Sequence, residues 1–383
     1  MKMSNYIAAK KNISKDKYDL NFILLMFTLF GVGFTTLYSG STYYAERLFD
    51  NNMYFVSKQL KHFIVALIGM LFFLFIDFSK LRKFLPVMTI IGLFICILPF
   101  IPGIGEFRKG AVRWIHIGGF MFQPSEAVKF VIIIFLANFF DKKNDKYDEP
   151  LISIFPPFLT AALFVLLVYL GNDFSSSVFI MFIVIAMFFA AGVPINWFLK
   201  GLICILPIVV LMIVTKEYRM ERVLTFLDPS RDPLNSGFQV QASLNALTSG
   251  GVLGQGLGNG VRKIASVPEI YSDFIFVVWA EEMGFVGVIG YLLILLLFSF
   301  FGYKIAFKCK DRFGAYIAFG ATTSILVQSL LNCAVVSSLV PATGIPLPFF
   351  SSGGSSLVIT FCLCGLILNA SGCAIKKGVE YNG

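Results

Sequence analysis

Val267-Pro268-Glu269-Ile270-Tyr271-Ser272-Asp273-Phe274-Ile275-Phe276 leads a polar stretch straight into a long apolar segment that carries Glu281 and Glu282. Charge next to lipid is costly, so acids at the mouth of a membrane-length helix are candidates for function. Asp273 stands at the mouth itself and is the first candidate. The rest of the chain has to supply a membrane around it and a chemistry for it.

Composition supplies the membrane. Of 383 residues, 57% are hydrophobic and 44 are Phe, with a mean hydropathy of +0.81, more apolar surface than one soluble core can bury. The fold class expected is all-α and polytopic. Apolar runs fall at 20–38, 59–77, 84–101, 127–140, 151–170, 175–191, 197–215, 274–301, 315–336 and 355–375, about ten spans by window length. The fourth needs extension back through Gln123-Pro124-Ser125-Glu126 to be long enough. The first lacks a small-residue cleavage site and reads as a retained helix.

The net charge of +9 would suggest nucleic acid in a soluble domain, but the basic residues lie mostly in short loops between apolar runs, where they set topology. Lys10, Lys11, Lys15 and Lys17 precede the first run, Lys80, Arg82 and Lys83 follow the second, and Lys142, Lys143 and Lys146 follow the fourth. Lys200, then Lys304, Lys308, Lys310 and Arg312, then Lys376 and Lys377 continue the alternation. Both termini are therefore expected in the cytoplasm, with tails at 1–19 and 376–383 around one membrane domain at 20–375. The seven cysteines show neither an extracellular disulfide pattern nor zinc spacing.

Three loops, at about 102–126, 216–272 and 338–354, fall on the other side, the largest between the seventh and eighth spans. The first two carry basic residues against the charge rule: Arg108, Lys109 and Arg113 beside Trp114, then Lys216, Arg219, Arg222, Arg231, Arg262 and Lys263. Arginine at headgroup level suits a phosphate or pyrophosphate, which points to a phosphorylated lipid. Each such cation could equally snorkel to headgroups, and Trp114 could be an interfacial anchor. The glycine run from Gly250 to Gly260 fits no dinucleotide register and reads as a closely packed or re-entrant loop. Asp173, Gln328 and Asn332 read as packing polars.

A series of motifs in order then makes a resemblance. They are Arg113-Trp114-Ile115, Phe122-Gln123-Pro124-Ser125-Glu126 with Lys129, Tyr218-Arg219-Met220-Glu221-Arg222 and Phe226-Leu227-Asp228-Pro229. Ser236-Gly237-Phe238-Gln239, Gly254-Gln255-Gly256-Leu257-Gly258-Asn259, Pro268-Glu269 with Ser272-Asp273-Phe274-Ile275-Phe276, Glu281-Glu282-Met283-Gly284 and Pro341-Ala342-Thr343-Gly344-Ile345-Pro346-Leu347-Pro348-Phe349 complete it. The chain resembles the SEDS family (shape, elongation, division and sporulation), and within it the FtsW branch more than the RodA branch. It departs from the family pattern at Asn172-Asp173-Phe174-Ser175-Ser176, at Phe350-Ser351-Ser352 and at Ser272.

The resemblance implies ten membrane helices in a bacterial cytoplasmic membrane and a peptidoglycan glycosyltransferase that polymerises lipid II on the outer face, for septal synthesis in cell division. It implies a class B penicillin-binding transpeptidase and divisome or elongasome proteins as partners, and Mg²⁺ or Mn²⁺ as a possible cofactor. Joining sugars needs a base or metal at the acceptor hydroxyl and positive charge at the departing pyrophosphate. Asp273 is the residue for the first task, as base or as metal ligand, with Glu269 as a supporting or metal candidate. Arg113, Lys129, Arg219 and Arg222 are candidates for the second, with Trp114 beside them. Gln123, Ser125, Glu126, Glu281 and Glu282 are expected as structural polar groups. A lipid II flippase is the rival reading, since buried acids in a many-helix body would also serve transport.

Overall fold

The structure, a computed structural model, describes residues 18–108, 111–117, 120–143, 154–232, 236–260 and 270–373. Among them, ten apolar helices occupy the ten stretches that hydropathy marks. They are α1 (Leu20–Phe49), α2 (Tyr54–Phe75), α3 (Phe78–Ile97), α4 (Pro124–Lys143), α5 (Phe155–Leu170), α6 (Phe174–Ala190), α7 (Ile195–Val214), α10 (Ile275–Lys308), α11 (Arg312–Val336) and α12 (Gly354–Ser371). Seven of these are long and apolar enough to cross a membrane, α5 and α6 are apolar but shorter, and α4 begins at Pro124, as the backward extension requires.

Boundaries differ from expectation where polar residues continue a helix. α1 runs past Tyr38 to Phe49, well beyond the apolar window. Asp19 starts it by accepting from the backbone N–H of Asn21 and Phe22, the usual service of an N-cap carboxylate. Asp77 does the same for α3 through Ser79.

The stretch expected as a plain loop at 102–126 contains a three-stranded antiparallel sheet: β1 (Gly105–Arg108), β2 (Ala111–Ile117) and β3 (Phe120–Phe122), in the order β1-β2-β3. Trp114 pairs with Glu106 and Ile115 with both Gly105 and Phe122. Ile115 is buried. This small sheet is an addition to an otherwise helical fold. The long loop before α10 likewise folds in part, into α8 (Glu217–Leu227) and α9 (Ser236–Gly250).

α12 is the central helix: 78% of its apolar window is buried, whereas the α7 window is 0% buried. Around α12 pack α2, α11 and α10. Close packing is visible at Gly365, where a Cβ would fall on the Met70 carbonyl of α2, an approach of backbones that small residues allow in membrane bundles. On the end of the bundle away from the sheet, Arg82 bridges Asp141 and Asp311 and lies 4.3 Å over the Phe313 ring, joining α3, α4 and α11.

α10 is broken at Gly284, where φ is 63° and ψ is −164°. The glycine run wedges into this break. Gln255 and Gly256 donate to the carbonyls of Glu281 and Glu282 at 3.0 Å each, and Phe285 and Val286 donate to Gly251 and Val252 at 2.9 and 3.1 Å. The carbonyls freed by the break are thereby satisfied inside the protein, as a membrane environment demands. A Cβ on Gly284 would fall on the Gly254 nitrogen and 2.7 Å from the Val252 oxygen. Left-handed backbone costs roughly 1–2 kcal/mol with a side chain, and overpacking typically adds about 1–3 kcal/mol. Gly284→Ala is therefore expected to lower the stability of the detergent-solubilised protein by roughly 2–5 kcal/mol. An unchanged thermal midpoint would contradict this account of the break.

Candidate active site

Asp273 sits two residues ahead of α10, at the positive end of its dipole. Its position is fixed through the backbone. Asn332 of α11 donates from Nδ2 to the Asp273 carbonyl at 2.8 Å and to the Ile345 carbonyl at 2.9 Å. Ser351 donates from Oγ to the Ser272 carbonyl at 2.6 Å while accepting from the Leu347 N–H at 2.7 Å. Ser352 donates to the Tyr271 carbonyl at 2.9 Å. The loop between α11 and α12 is thus bonded to the turn that carries the carboxylate. Gly344 in that loop has φ +75°, and a Cβ there would lie 3.3 Å from Asp273 Oδ2. Glycine keeps that side of the carboxylate open.

Asp273 lines a cavity of about 290 Å³ that Arg113, Trp114, Gln123, Lys58 and His62 also line. The elements framing it are the C-terminal end of α1, the N-terminal ends of α2, α10 and α12, the small sheet and the loop after α11. An adjoining cavity of about 200 Å³ is lined by Arg113, Arg219 and Arg222 together with apolar side chains of α6, α7 and α11. Arg113 belongs to both.

Arg113 is held by Asp173, with Nη1 3.7 Å from Oδ1. The buried Asp173 carboxylate is positioned in turn by Gln123 Nε2 at 2.8 Å and Ser125 Oγ at 3.2 Å. The buried Nε of Arg113 makes no hydrogen bond to the described residues, which leaves a donor at the junction of the two cavities. Arg222 donates from Nη1 to the Ala342 carbonyl at 2.8 Å and lies 4.6 Å over the Tyr218 ring. Burial lowers its pKa from the ordinary guanidinium value, Arg113 adds to the lowering, and Tyr218, Asp273 and Asp173 oppose it. A guanidinium remains charged through such a shift. The two cavities therefore bring Arg113 and Arg222 into one field with the Asp273 carboxylate.

Known proteins resemble this chain over nearly its whole length. A model of cell cycle proteins, FTSW_RODA_SPOVE, matches residues 19–374. The chain belongs to this family. A protein of Geobacter sp. strain M18 named as a probable peptidoglycan glycosyltransferase FtsW is 36% identical over 354 residues, covering 92% of this chain and 96% of that one. Stage V sporulation protein E of Bacillus subtilis is 36% identical over 361 residues, covering 93% and 98%. Among solved structures, a chain from a peptidoglycan synthase complex described as coordinating polymerization and crosslinking aligns with TM-score 0.78 at 27% identity, over 93% of this chain and 98% of that one. RodA of Thermus thermophilus shares the fold with TM-score 0.69 at 23% identity, over 94% and 99%.

Within this FtsW/RodA/SpoVE fold, Asp273, Arg113, Trp114 and Gln123 meet at one cavity, and Arg222 stands at its neighbour. Arg219 lines the second cavity, but its guanidinium is committed to Tyr169 Oη at 3.0 Å, the Met212 carbonyl at 2.8 Å and Asn172 Oδ1 at 2.8 Å, and the side chain is buried. It ties α8 to the turn between α5 and α6 more than it presents charge to a ligand.

Lys129 is corrected outright. It lines neither cavity, and its ammonium is buried 2.8 Å from Glu126 and 2.7 Å from Gln328 Oε1. The i,i+3 spacing on α4 turns it inward to its acid. Glu281 and Glu282 are buried, with Ser249 Oγ 3.4 Å and Ser39 Oγ 2.5 Å from their carboxylates. Glu269 lies outside the described residues.

Sequence reasoning missed Lys58, which lines the Asp273 cavity, and the task of Asp173. Lys58 was legible by the same rule that marked Arg113, a basic residue at the wrong end of an apolar run. Asp173 gave no sign of its cation, because Arg113 is distant in sequence.

Proposed function

We propose that the chain is a peptidoglycan glycosyltransferase that polymerises lipid II on the outer face of the bacterial cytoplasmic membrane, with both termini inside. The observation that carries this is the cavity itself: the Asp273 carboxylate lines a space shared with Arg113 and joined to an apolar cavity beside Arg222. The sidedness rests on charge. The cavity is framed by one set of helix ends, and Lys80, Arg82, Lys83, Lys308, Lys310 and Arg312 cluster at the other ends.

In the reaction, the acceptor hydroxyl oxygen attacks the anomeric carbon of the donor sugar as the bond from that carbon to the pyrophosphate oxygen breaks. The hydroxyl proton passes to the Asp273 carboxylate, and the pyrophosphate leaves with the bonding electrons. Arg113 and Arg222 receive that charge, and the neighbouring apolar cavity takes the first part of the lipid carrier. No acid has to protonate the leaving group, unlike a glycoside hydrolase, where a second carboxylic acid does so.

Among the described residues, no three His, Cys, Asp or Glu side chains converge as a metal cage. Mg²⁺ is commonly held by one or two carboxylates together with substrate phosphates, so Asp273 fits a cation shared with the pyrophosphate, which would add positive charge at the leaving group. A class B penicillin-binding transpeptidase is the partner that the reading calls for, since glycan strands need crosslinking.

Asn332 is a positioning residue in this scheme, because it holds the backbone of Asp273 and not the substrate. Asn332→Leu is expected to lower kcat roughly 10- to 100-fold with KM little changed, since displacements of about 1 Å near the chemistry cost that much. Equal losses in kcat and in folded protein would assign Asn332 to stability alone.

The reading as a whole is tested by reconstituting the purified chain with lipid II and Mg²⁺, alone and with its transpeptidase. Glycan strands are expected. Movement of labelled lipid II across vesicles without strands would favour the transporter.

A further inference from the structure

The wall of the Asp273 cavity built by the α1–α2 hairpin takes no part in the steps above. Asp50, with φ 49°, turns the chain sharply between the two helices. Phe49 at the end of α1 and Tyr54 at the start of α2 consequently stack face to face, with ring centroids 3.8 Å apart and planes within 10°. Behind them Phe55 stacks on Tyr271 at 4.4 Å, and Tyr271 is two residues from Asp273. Phe55 is 7% exposed and Phe49 is 45% exposed, so the inner layer is packed and the outer layer is open. Lys58 follows Tyr54 by four residues on the same helix face, and all five side chains line the cavity.

Aromatic residues at a membrane boundary commonly form a belt toward the headgroups. These rings instead line a concave site that holds a carboxylate and cations, the composition of a ligand pocket. A pyranose ring presents a face of C–H bonds that stacks on an aromatic face, while its edge carries hydroxyls that need polar partners. Phosphate has no such face. The aromatic pair and the arginines therefore suit different parts of one glycolipid.

We infer that Phe49 and Tyr54 form a sugar-stacking platform for a hexopyranose of the glycan, with Lys58 beside it for an anionic group on the same head group. This rests on the glycosyltransferase reading and deepens it: the platform holds the sugar while Arg113 and Arg222 hold the pyrophosphate. Aromatic pair contacts are worth roughly 0.5–1.5 kcal/mol, a change of about 2- to 13-fold in affinity per ring lost.

The test uses the full chain in detergent, a lipid-free β-1,4-linked N-acetylglucosamine tetramer as probe, and lipid II as substrate. Wild type is expected to bind the tetramer by saturation-transfer NMR, Tyr54→Phe to retain binding, and Phe49→Leu and Tyr54→Leu to weaken it severalfold while raising KM for lipid II with kcat held. Thermal midpoints of the variants report folding. Absence of tetramer binding by wild type, or Leu variants that bind and turn over as wild type does, would overturn the platform. If the tetramer binds in a ring-dependent way but lipid II is never polymerised, the glycosyltransferase reading fails and the platform stands. If lipid II is polymerised equally by all variants, the reverse holds.

Discussion

Asp273→Asn is expected to leave a folded protein that binds lipid II and makes almost no glycan. The substitution keeps the size of the side chain and leaves the bonds from Asn332 and Ser351, which run to backbone carbonyls at 273 and 272. What is lost is the proton acceptor. General-base assistance is typically worth roughly 100- to 10,000-fold in rate, and the loss should appear in kcat, with KM nearly unchanged. Gel-resolved glycan strands and the thermal midpoint of the same sample check both halves. A variant that polymerises within a few-fold of wild type would remove Asp273 from the chemistry.

Arg113→Gln carries the second large effect. Its guanidinium stands at the junction of the two cavities, with a buried Nε that makes no hydrogen bond to the described residues. Removing a charged donor aimed at developing negative charge commonly costs about 100- to 1,000-fold. Asp173 would lose its cation but keep Gln123 and Ser125, so the fold should survive with modest destabilisation. Arg113→Lys should recover only part of the activity, because an ammonium lacks the planar fork that matches a pyrophosphate. Activity of Arg113→Gln near wild type, with Arg222→Gln inactive, would move the pyrophosphate wholly to Arg222.

The membrane body was legible because burying apolar side chains in lipid leaves long windows that nothing else explains. Asp273 was legible for the converse reason, as charge where lipid makes charge costly. The small sheet was not read. Ala111 to Ile117 shows no clean alternation, with Arg113 and His116 three apart, and so short a stretch beside glycines resembles a loop until its partners are known. Lys129 was misplaced because membership of a motif says nothing about which face of a helix a side chain takes, and only the fold shows Glu126 and Gln328 around its ammonium. Arg219 shows the same limit, since its acceptors, Asn172 and Tyr169, come from another part of the chain. The Tyr54, Lys58 and His62 stripe could have been found at its spacing of four, but the apolar window beginning at Gln59 absorbed it.

Asn332 and Gln328 read as packing polars and turn out to be the frame of the site. They stand one turn apart on α11. Gln328 accepts from Lys129 and donates to the Pro346 carbonyl at 2.8 Å, while Asn332 spans the carbonyls of Asp273 and Ile345. The carboxylate is thus fixed by a buried helix, with the loop clamped to the same helix, which is how a rigid scaffold presents groups carried on loops.

The most direct measurement counts products in one reconstituted sample: lipid pyrophosphate released against glycosidic bonds formed, for wild type and for Asp273→Asn. Release in step with bond formation by wild type, with both lost in Asp273→Asn while lipid II still binds, is the predicted result. Glycan formation that persists in Asp273→Asn, or a wild-type protein that moves lipid II across the bilayer and releases no pyrophosphate carrier even with its transpeptidase, would contradict the account.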